Sequence, residues 1–368
     1  MNLKAIGLYV IKMPLKLPFS THLGTVAERE AIIVEAVDTN GLKGYGEAVA
    51  FSSPWYTEET VQTCYHVLKD FLIPLLKDSE ISHPNQVDFL FHGIRRNHMA
   101  KAALEMAIWD LYAKQKNTPL ARILGSTATS IPAGVVVGAK TSSSAIDQIE
   151  GYIGEGYSRI KVKISPDNDY ALLAIIRERF PDIQLMADAN SAYTLDDIEK
   201  LKALDEFGLL MIEQPLAVDD IVDHAKLQKQ LKTPICLDES IVSFDDARKA
   251  IELGSCQVIN IKIGRVGGLN TALAIHDFCK DSGVPVWCGG MLEFGVSRAH
   301  NIALAGLPGF TIPGDISSSS RYWEEDIIMP EVTVRHGAIE VPDQPGIGFE
   351  INCKRLRETC SFEETFRL

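Results

Sequence analysis

The sequence predicts an α/β protein, a (β/α) barrel preceded by a smaller α+β domain, and three observations carry that reading. Five short apolar stretches each end in one charged residue, Lys163, Asp188, Glu213, Asp238 and Lys262, at intervals of 25, 25, 25 and 24 residues. That period fits one strand plus one crossover helix. The stretches themselves (159–163, 184–188, 209–213, 234–238 and 258–262) are continuously hydrophobic rather than alternating, the pattern of parallel strands buried on both faces. Between them, segments such as 196–204 and 244–254 have the composition and spacing of crossover helices.

Taken in order, residues 2–13, 30–37 and 41–48 read as three antiparallel strands, the last two joined through the turn signal Asp38-Thr-Asn-Gly41. Gly44 and Gly46 predict close packing or a bulge in the third strand. Leu17–Gly24, including His22, is polar and interrupted, and reads as a mobile loop. Phe51–Tyr56 is a second loop, with Trp55 and Tyr56 as anchors or as walls of a pocket, before a helix over 58–76 capped by Thr57. Residues 99–115 form a strong helix stopped by Asn117-Thr-Pro119, and a short helix ends at Gly125. Ile131–Gly138 is the expected first barrel strand, 285–291 the seventh and 310–315 the eighth. Beyond the polar loop 317–320, residues 332–341, 344–350 and the acidic tail read as strands and turns returning to the first domain.

Composition narrows the function classes. The 368 residues are 46% hydrophobic and 23% charged, with a formal charge of −13, an ordinary globular balance. Basic residues are dispersed, and the short patch 92–98 reads as a solvated helix entry, so nucleic acid is not expected as a partner. No apolar run approaches the ~20 residues of a membrane span. Seven cysteines without a C-x-x-C spacing read as reduced packing residues of a cytoplasmic protein.

An ionised side chain at the end of a buried strand is costly unless it faces a shared opening, a metal or a partner. One such carboxylate alone usually caps a helix or pairs with a cation. Three in phase, Asp188, Glu213 and Asp238, make an all-oxygen set suited to a hard divalent cation such as Mg²⁺. Lys163 and Lys262 fall on either side of it, an arrangement for taking a proton from the carbon next to a carboxylate. Glu239 reads as a brace for its neighbour or as a helix start, and Arg265 as an influence on Lys262 or the partner of a surface acid. Gly264–Gly268 lacks the G-x-G-x-x-G spacing and reads as a βα turn with close approach to a ligand, not a nucleotide site. His276, His300 and Cys288 read as packing residues.

At successive strand ends, Lys161-x-Lys163, Asp188-x-Asn190, Glu213-Gln-Pro215, Asp238-Glu239 and Lys262 resemble the enolase superfamily in its muconate-lactonising subgroup. More finely, Phe51-Ser-Ser-Pro-Trp-Tyr-Thr-Glu-Glu, Lys262-x-Gly-Arg265-Val-Gly-Gly268, Cys288-Gly-Gly-Met-Leu-Glu293 and Ile312–Trp323 resemble the o-succinylbenzoate synthases, a family that includes N-acylamino acid (N-succinylamino acid) racemases. The resemblance implies a (β/α)7β modified TIM barrel over 126–320 and an α+β capping domain built from 1–125 and the returning segment 321–368. It implies Mg²⁺, or Mn²⁺ or another divalent cation, on Asp188, Glu213 and Asp238. Lys163 is then the base, with Lys161 and the metal lowering its pKa, and Lys262 stands on the opposite face. Lys161, Asn190, Gly290 and Met291 contact the substrate, with specificity set by the loops near Ser20 and Trp55. The implied reaction is dehydration of 2-succinyl-6-hydroxy-2,4-cyclohexadiene-1-carboxylate to o-succinylbenzoate in menaquinone biosynthesis. The alternative is racemisation of N-succinylamino acids by two-base 1,1-proton transfer, or both activities, in a cytoplasmic homo-oligomer acting on a small carboxylate.

Overall fold

The computed structural model describes residues 1–21, 24–77, 79–138 and 141–368. The N-terminal layer is an antiparallel sheet of β1 (Leu3–Thr21), β2 (Gly24–Asp38) and β3 (Lys43–Ala48), with the C-terminal strand Cys360–Arg367 paired along the outer side of β1. The helix α1 (His98–Gln115) lies across the sheet, buried along most of its length. The glycines of β3 permit this contact. A Cβ on Gly44 would lie 2.2 Å from the Ala107 carbonyl, and one on Gly46 2.0 Å from that of Ala103.

Two N-terminal expectations need correction. Leu17–Thr21 is not a loop but the end of β1, with Phe19, Ser20 and Thr21 opposite Val26, Thr25 and Gly24. Pro14 and Pro18 lack ladder donors and read as breakers, yet the register shift between Pro14 and Phe19 absorbs them, and Lys16 N–H donates to the Tyr322 carbonyl at 2.9 Å. His22 and Leu23 lie outside the described residues. The helix expected at 58–76 starts at Val61, where Thr60 and Thr63 cap each other, and it widens into a π-turn over Leu68–Leu72. Pro74, which has no N–H for an α-helical bond, follows that turn directly.

Seven parallel strands lie side by side in chain order: β4 (Gly134–Val137), β5 (Arg159–Lys163), β6 (Gln184–Asp188), β7 (Ile212–Glu213), β8 (Ile235–Leu237), β9 (Val258–Ile261) and β10 (Val286–Cys288). The first expected strand is split. Ser130–Pro132 pairs antiparallel with Ala338–Glu340, and only the part after Ala133 joins the parallel sheet. The eighth is not a continuous strand. Residues 310–315 bridge to β10 through Val286–Phe310 and to the start of β4 through Ala133–Gly314, and so close the barrel.

Strand pleat explains where the charges fall. Met186, Met211, Cys236, Val258 and Trp287 form an apolar cluster separate from the main core. Two residues further along their strands come Asp188, Glu213, Asp238 and Asn260, on the same face because strand side chains alternate. The intervening residues, such as Ala187, Ile212, Leu237 and Ile259, pack in the main core with the surrounding helices.

Cap and barrel are joined by buried carboxylates at helix starts. Glu105 of α1 accepts from the N–H groups of Leu269 and Asn270, where α2 (Leu269–Asp281) begins. Glu47 of β3 accepts from Phe294 and Ser297, both at 2.8 Å, at the start of α3 (Gly295–Ala305). Burial, opposed by those two bonds, raises the Glu47 carboxyl to about 8 from 4.5. The folded state therefore keeps a proton that the unfolded chain has released. This position's contribution to stability falls as pH climbs from about 4.5 through 8, by on the order of a few kcal/mol. In urea titrations across that range, Glu47→Gln should lose this part of the pH slope; an unchanged slope would show that Glu47 is ionised throughout. Among the described residues no helix is long and apolar enough to cross a membrane.

Candidate active site

Seven of the nine expected site residues meet at the C-terminal end of the parallel strands, and the other two form a wall beside them. On β5, Lys161 is fully buried and its Nζ lies 3.1 Å from Asp188 Oδ2, 3.0 Å from Glu213 Oε2 and 2.5 Å from Asp315 Oδ2. Burial alone would lower its pKa, but Asp315, Glu213 and Asp188 outweigh it and hold Lys161 as a cation. Lys163, with 23% of its side chain exposed, reaches Asp188 Oδ2 at 2.7 Å and Asn190 Oδ1 at 2.6 Å. Across the barrel, Lys262 donates to Asp238 Oδ2 at 2.8 Å and to the Tyr56 hydroxyl at 2.7 Å. Burial lowers Lys262 as well, and Tyr56, Glu239 and Glu213 more than reverse it.

The three carboxylates form a row across adjacent strands. Lys161 bridges the first two, and Asn260 Nδ2 bridges Glu213 and Asp238 at 2.9 and 3.0 Å. Gln214 secures the end of the row, its Oε1 accepting the backbone N–H groups of Asp238 and Ser240 at 3.0 and 3.3 Å. Burial is opposed by Lys163 and Lys161 at Asp188, which stays well below the usual carboxylate range. At Glu213, burial and then Asp188 push the carboxyl up.

Whether a divalent cation suits this row can be judged from its chemistry. Among the described residues, no three His, Cys, Asp or Glu side chains already stand at metal-ligand spacing. Lysine ammonium groups and the Arg265 guanidinium occupy the carboxylate oxygens instead. The donors are all oxygen, all buried, and gathered on one side of the barrel mouth, and at Glu213 burial and Asp188 outweigh Lys161 and push the carboxyl up. A hard cation fits that set.

Gly290 and Met291 line the same cavity, about 650 Å³ including its opening, with Phe19, Phe51, Trp55 and Tyr322 on its apolar side. Gly290 leaves room for backbone: a Cβ there would lie 2.7 Å from the Asp315 carbonyl. Glu293 secures this wall by accepting the Met291 N–H and a hydrogen bond from Asn301 at 3.2 Å. The second expected loop is held by Arg29, which donates to the Val49 and Ala50 carbonyls and stacks on Phe51 at 4.3 Å. Trp55 and Tyr56 are thus pocket walls, and Tyr56 also donates to Asp238 Oδ2 at 3.2 Å.

Other expectations change. Arg265 pairs with no surface acid: it is buried against Asp238 and the carbonyls of Ile241 and Asn260. Glu239 starts no helix, since the helix Phe244–Leu253 is capped by Ser243; Glu239 instead accepts from Asn190 at 3.0 Å. The glycines at 267 and 268 do not line the active-site cavity. Gly268 makes room for Glu105, whose Oε2 would be 1.7 Å from an added Cβ. His276 stacks on Phe310, and His300 bonds the Tyr45 carbonyl, both as packing residues. Asp315, Asn260 and Arg159 were not singled out for this site, and Tyr56 only as an anchor or a pocket wall. Arg159 donates to Asp315 Oδ1 at 2.7 Å and completes a chain from β5 through 310–315 to Lys161.

A parallel barrel with acid and lysine side chains at the strand ends, under an α+β cap, is the architecture of a superfamily of carboxylate-activating enzymes. Residues 5–125 match the mandelate racemase / muconate lactonizing enzyme N-terminal domain, and 144–355 match the enolase C-terminal domain-like family. The chain belongs to this family within the enolase superfamily. An o-succinylbenzoate synthase of Geobacillus stearothermophilus is 57% identical over 366 residues, 99% of this chain and 98% of that one. An N-succinylamino acid racemase of Thermus thermophilus is 45% identical over 352 residues, 95% of each. The crystal structure of an enolase superfamily member from Listeria innocua superposes with a TM-score of 0.97 at 43% identity, covering 100% of this chain and 99% of that one.

Proposed function

We propose that the chain is a divalent-metal-dependent o-succinylbenzoate synthase, dehydrating 2-succinyl-6-hydroxy-2,4-cyclohexadiene-1-carboxylate in the cytoplasm as a step of menaquinone biosynthesis. The observation that carries this reading is the pair of lysines on opposite flanks of the carboxylate row, Lys163 at Asp188 and Lys262 at Asp238. When bound by Asp188, Glu213 and Asp238, Mg²⁺ or a similar cation supplies Lewis-acid stabilisation of the charge that develops on the substrate carboxylate.

The chain's own residues do the rest. Lys163 takes the proton from the carbon bearing the carboxylate. The electron pair left on that carbon forms a ring double bond as the C–O bond to the 6-hydroxyl breaks. Lys163 returns its proton to the departing hydroxide, which leaves as water. Lys161, kept charged by Asp315, Glu213 and Asp188, offsets the anion from below. Lys262, kept charged by Tyr56, Glu239 and Glu213, does so from the other face. Phe19, Phe51 and Trp55 give the cavity that holds the base an apolar side.

The second reading is N-succinylamino acid racemisation, favoured by the same opposed lysines, with Lys262 delivering or removing a proton on its own face. The higher identity to o-succinylbenzoate synthases, 57% against 45% for the racemase, supports dehydration as the principal reaction. Both substrate types should be assayed with the purified protein before and after chelation. Dehydration is expected, lost on metal removal and restored by Mg²⁺ or Mn²⁺. Turnover unaffected by chelation would refute the metal role, and slow dehydration beside fast racemisation would reverse the order of the two reactions.

A further inference from the structure

Lys163, Asn190 and Glu239 form a chain whose far end enters the reaction described above only through the charge of Lys262. Asn190 has φ of +41° and Ser191 of +65°, a left-handed corner pinned by the Ser191 N–H, which donates to the Gln214 carbonyl at 2.7 Å. Asn tolerates that conformation better than most residues. The corner folds Asn190 back over the end of β6, where its own N–H donates to Asp188 Oδ1 at 3.1 Å. Its side chain is committed at both ends: Oδ1 accepts from Lys163 at 2.6 Å, and Nδ2 donates to Glu239 Oε1 at 3.0 Å.

A primary amide has one accepting and one donating end, and the Glu239 Oε1 accepts from the donating one. Glu239 therefore decides which end faces Lys163. With Glu239 in place the Asn190 carbonyl accepts an N–H of Lys163; without it the amide is free to turn its NH₂ toward Lys163, which then loses that acceptor. Glu239 is buried, and its second oxygen has no hydrogen-bond partner among the described residues. Burying a carboxylate with an idle oxygen costs stability, so packing does not account for its presence.

We infer that Glu239 is a positioning residue that acts on Lys163 through Asn190, orienting the amide so that the base is held on one face of the bound substrate. The inference rests on Lys163 as the base. Glu239 also faces Lys262, so a loss of activity in a single variant would not assign its effect, and the test is a cycle.

Dehydration should be measured for Glu239→Met, Asn190→Ala and the double variant, with thermal unfolding alongside. Each single change is expected to lower kcat at least tenfold with KM within about threefold, and the double variant should be no more than threefold slower than Asn190→Ala. Multiplied losses in the double variant, or a Glu239→Met protein as fast as the parent, would overturn the inference.

A swap guards against misfolding. Asn190→Asp alone sets two carboxylates face to face and should be at least tenfold slow. Adding Glu239→Gln restores a donor opposite an acceptor, with the introduced carboxylate still accepting from Lys163, and should recover most of the rate; a swapped pair no faster than Asn190→Asp would also overturn it. Failure of the underlying reading looks different: a fully active Lys163→Ala protein removes the base itself, whereas an inactive one beside an unrescued swap removes only the role of Glu239.

Discussion

Replacing Lys163 by alanine is expected to slow dehydration by about 10²–10⁴-fold, the usual contribution of a positioned proton-transfer group, with little change in KM or in thermal stability. The stability half follows from what the side chain leaves behind. Asp188 Oδ2 keeps Lys161 at 3.1 Å, and the Asn190 carbonyl lies at a partly open position where water replaces the ammonium. Neither group is stranded in an apolar environment, so the large penalty of an unpaired buried charge does not arise. The kinetic half follows from geometry, because Lys163 is the one lysine of the three that faces the cavity with an appreciable part of its side chain exposed.

Deuterium exchange at the α-carbon of L- and D-N-succinylphenylalanine separates the two faces. Lys163→Ala should lose exchange from one enantiomer and Lys262→Ala from the other. A Lys163→Ala protein that dehydrates within tenfold of the parent would end its assignment as the base. Loss of exchange from both enantiomers in either variant would show that the lysines do not act on separate faces.

Much of this arrangement was legible in the sequence for a simple physical reason. A parallel strand buried on both faces has no use for a charge except at its end, so an acid or lysine recurring at a constant interval marks the barrel mouth. Asp188, Glu213, Asp238, Lys163 and Lys262 were readable on that basis. Asn260 was not, because a neutral amide within an apolar run carries no such signal, although its inward position two residues before Lys262 was available from strand alternation. Asp315 and Arg159 were obscured because their pairing crosses the barrel closure, where 310–315 forms isolated bridges rather than a strand. The carboxylates Glu47 and Glu105 cap helices more than 160 positions away in the chain, and no local pattern registers such a contact. The long β1–β2 hairpin was hidden by Pro14 and Pro18, whose missing donors fall at a register shift.

Asp238→Asn is expected to be damaging in two separable ways. It carries the densest set of partners in the row: Arg265 on Oδ1 with Asn260 at 3.0 Å, and Lys262 and Tyr56 on Oδ2 at 2.8 and 3.2 Å. Neutralising it leaves the buried Arg265 guanidinium without its counter-charge, and breaking a buried pair by removing one partner costs about 3–5 kcal/mol. The thermal transition should therefore fall well below that of Lys163→Ala. The second effect concerns the cation. Losing a residue that merely braces a metal ligand weakens binding by about 10–100-fold, and losing one of three charged donors should exceed that. Titrating the folded protein with Mn²⁺ by electron paramagnetic resonance, without substrate, reads this directly and independently of turnover. An Asp238→Asn protein that is destabilised yet binds Mn²⁺ as tightly as the parent would mean that Asp238 serves as the anchor of Arg265 and Lys262, leaving the metal to Asp188 and Glu213 alone.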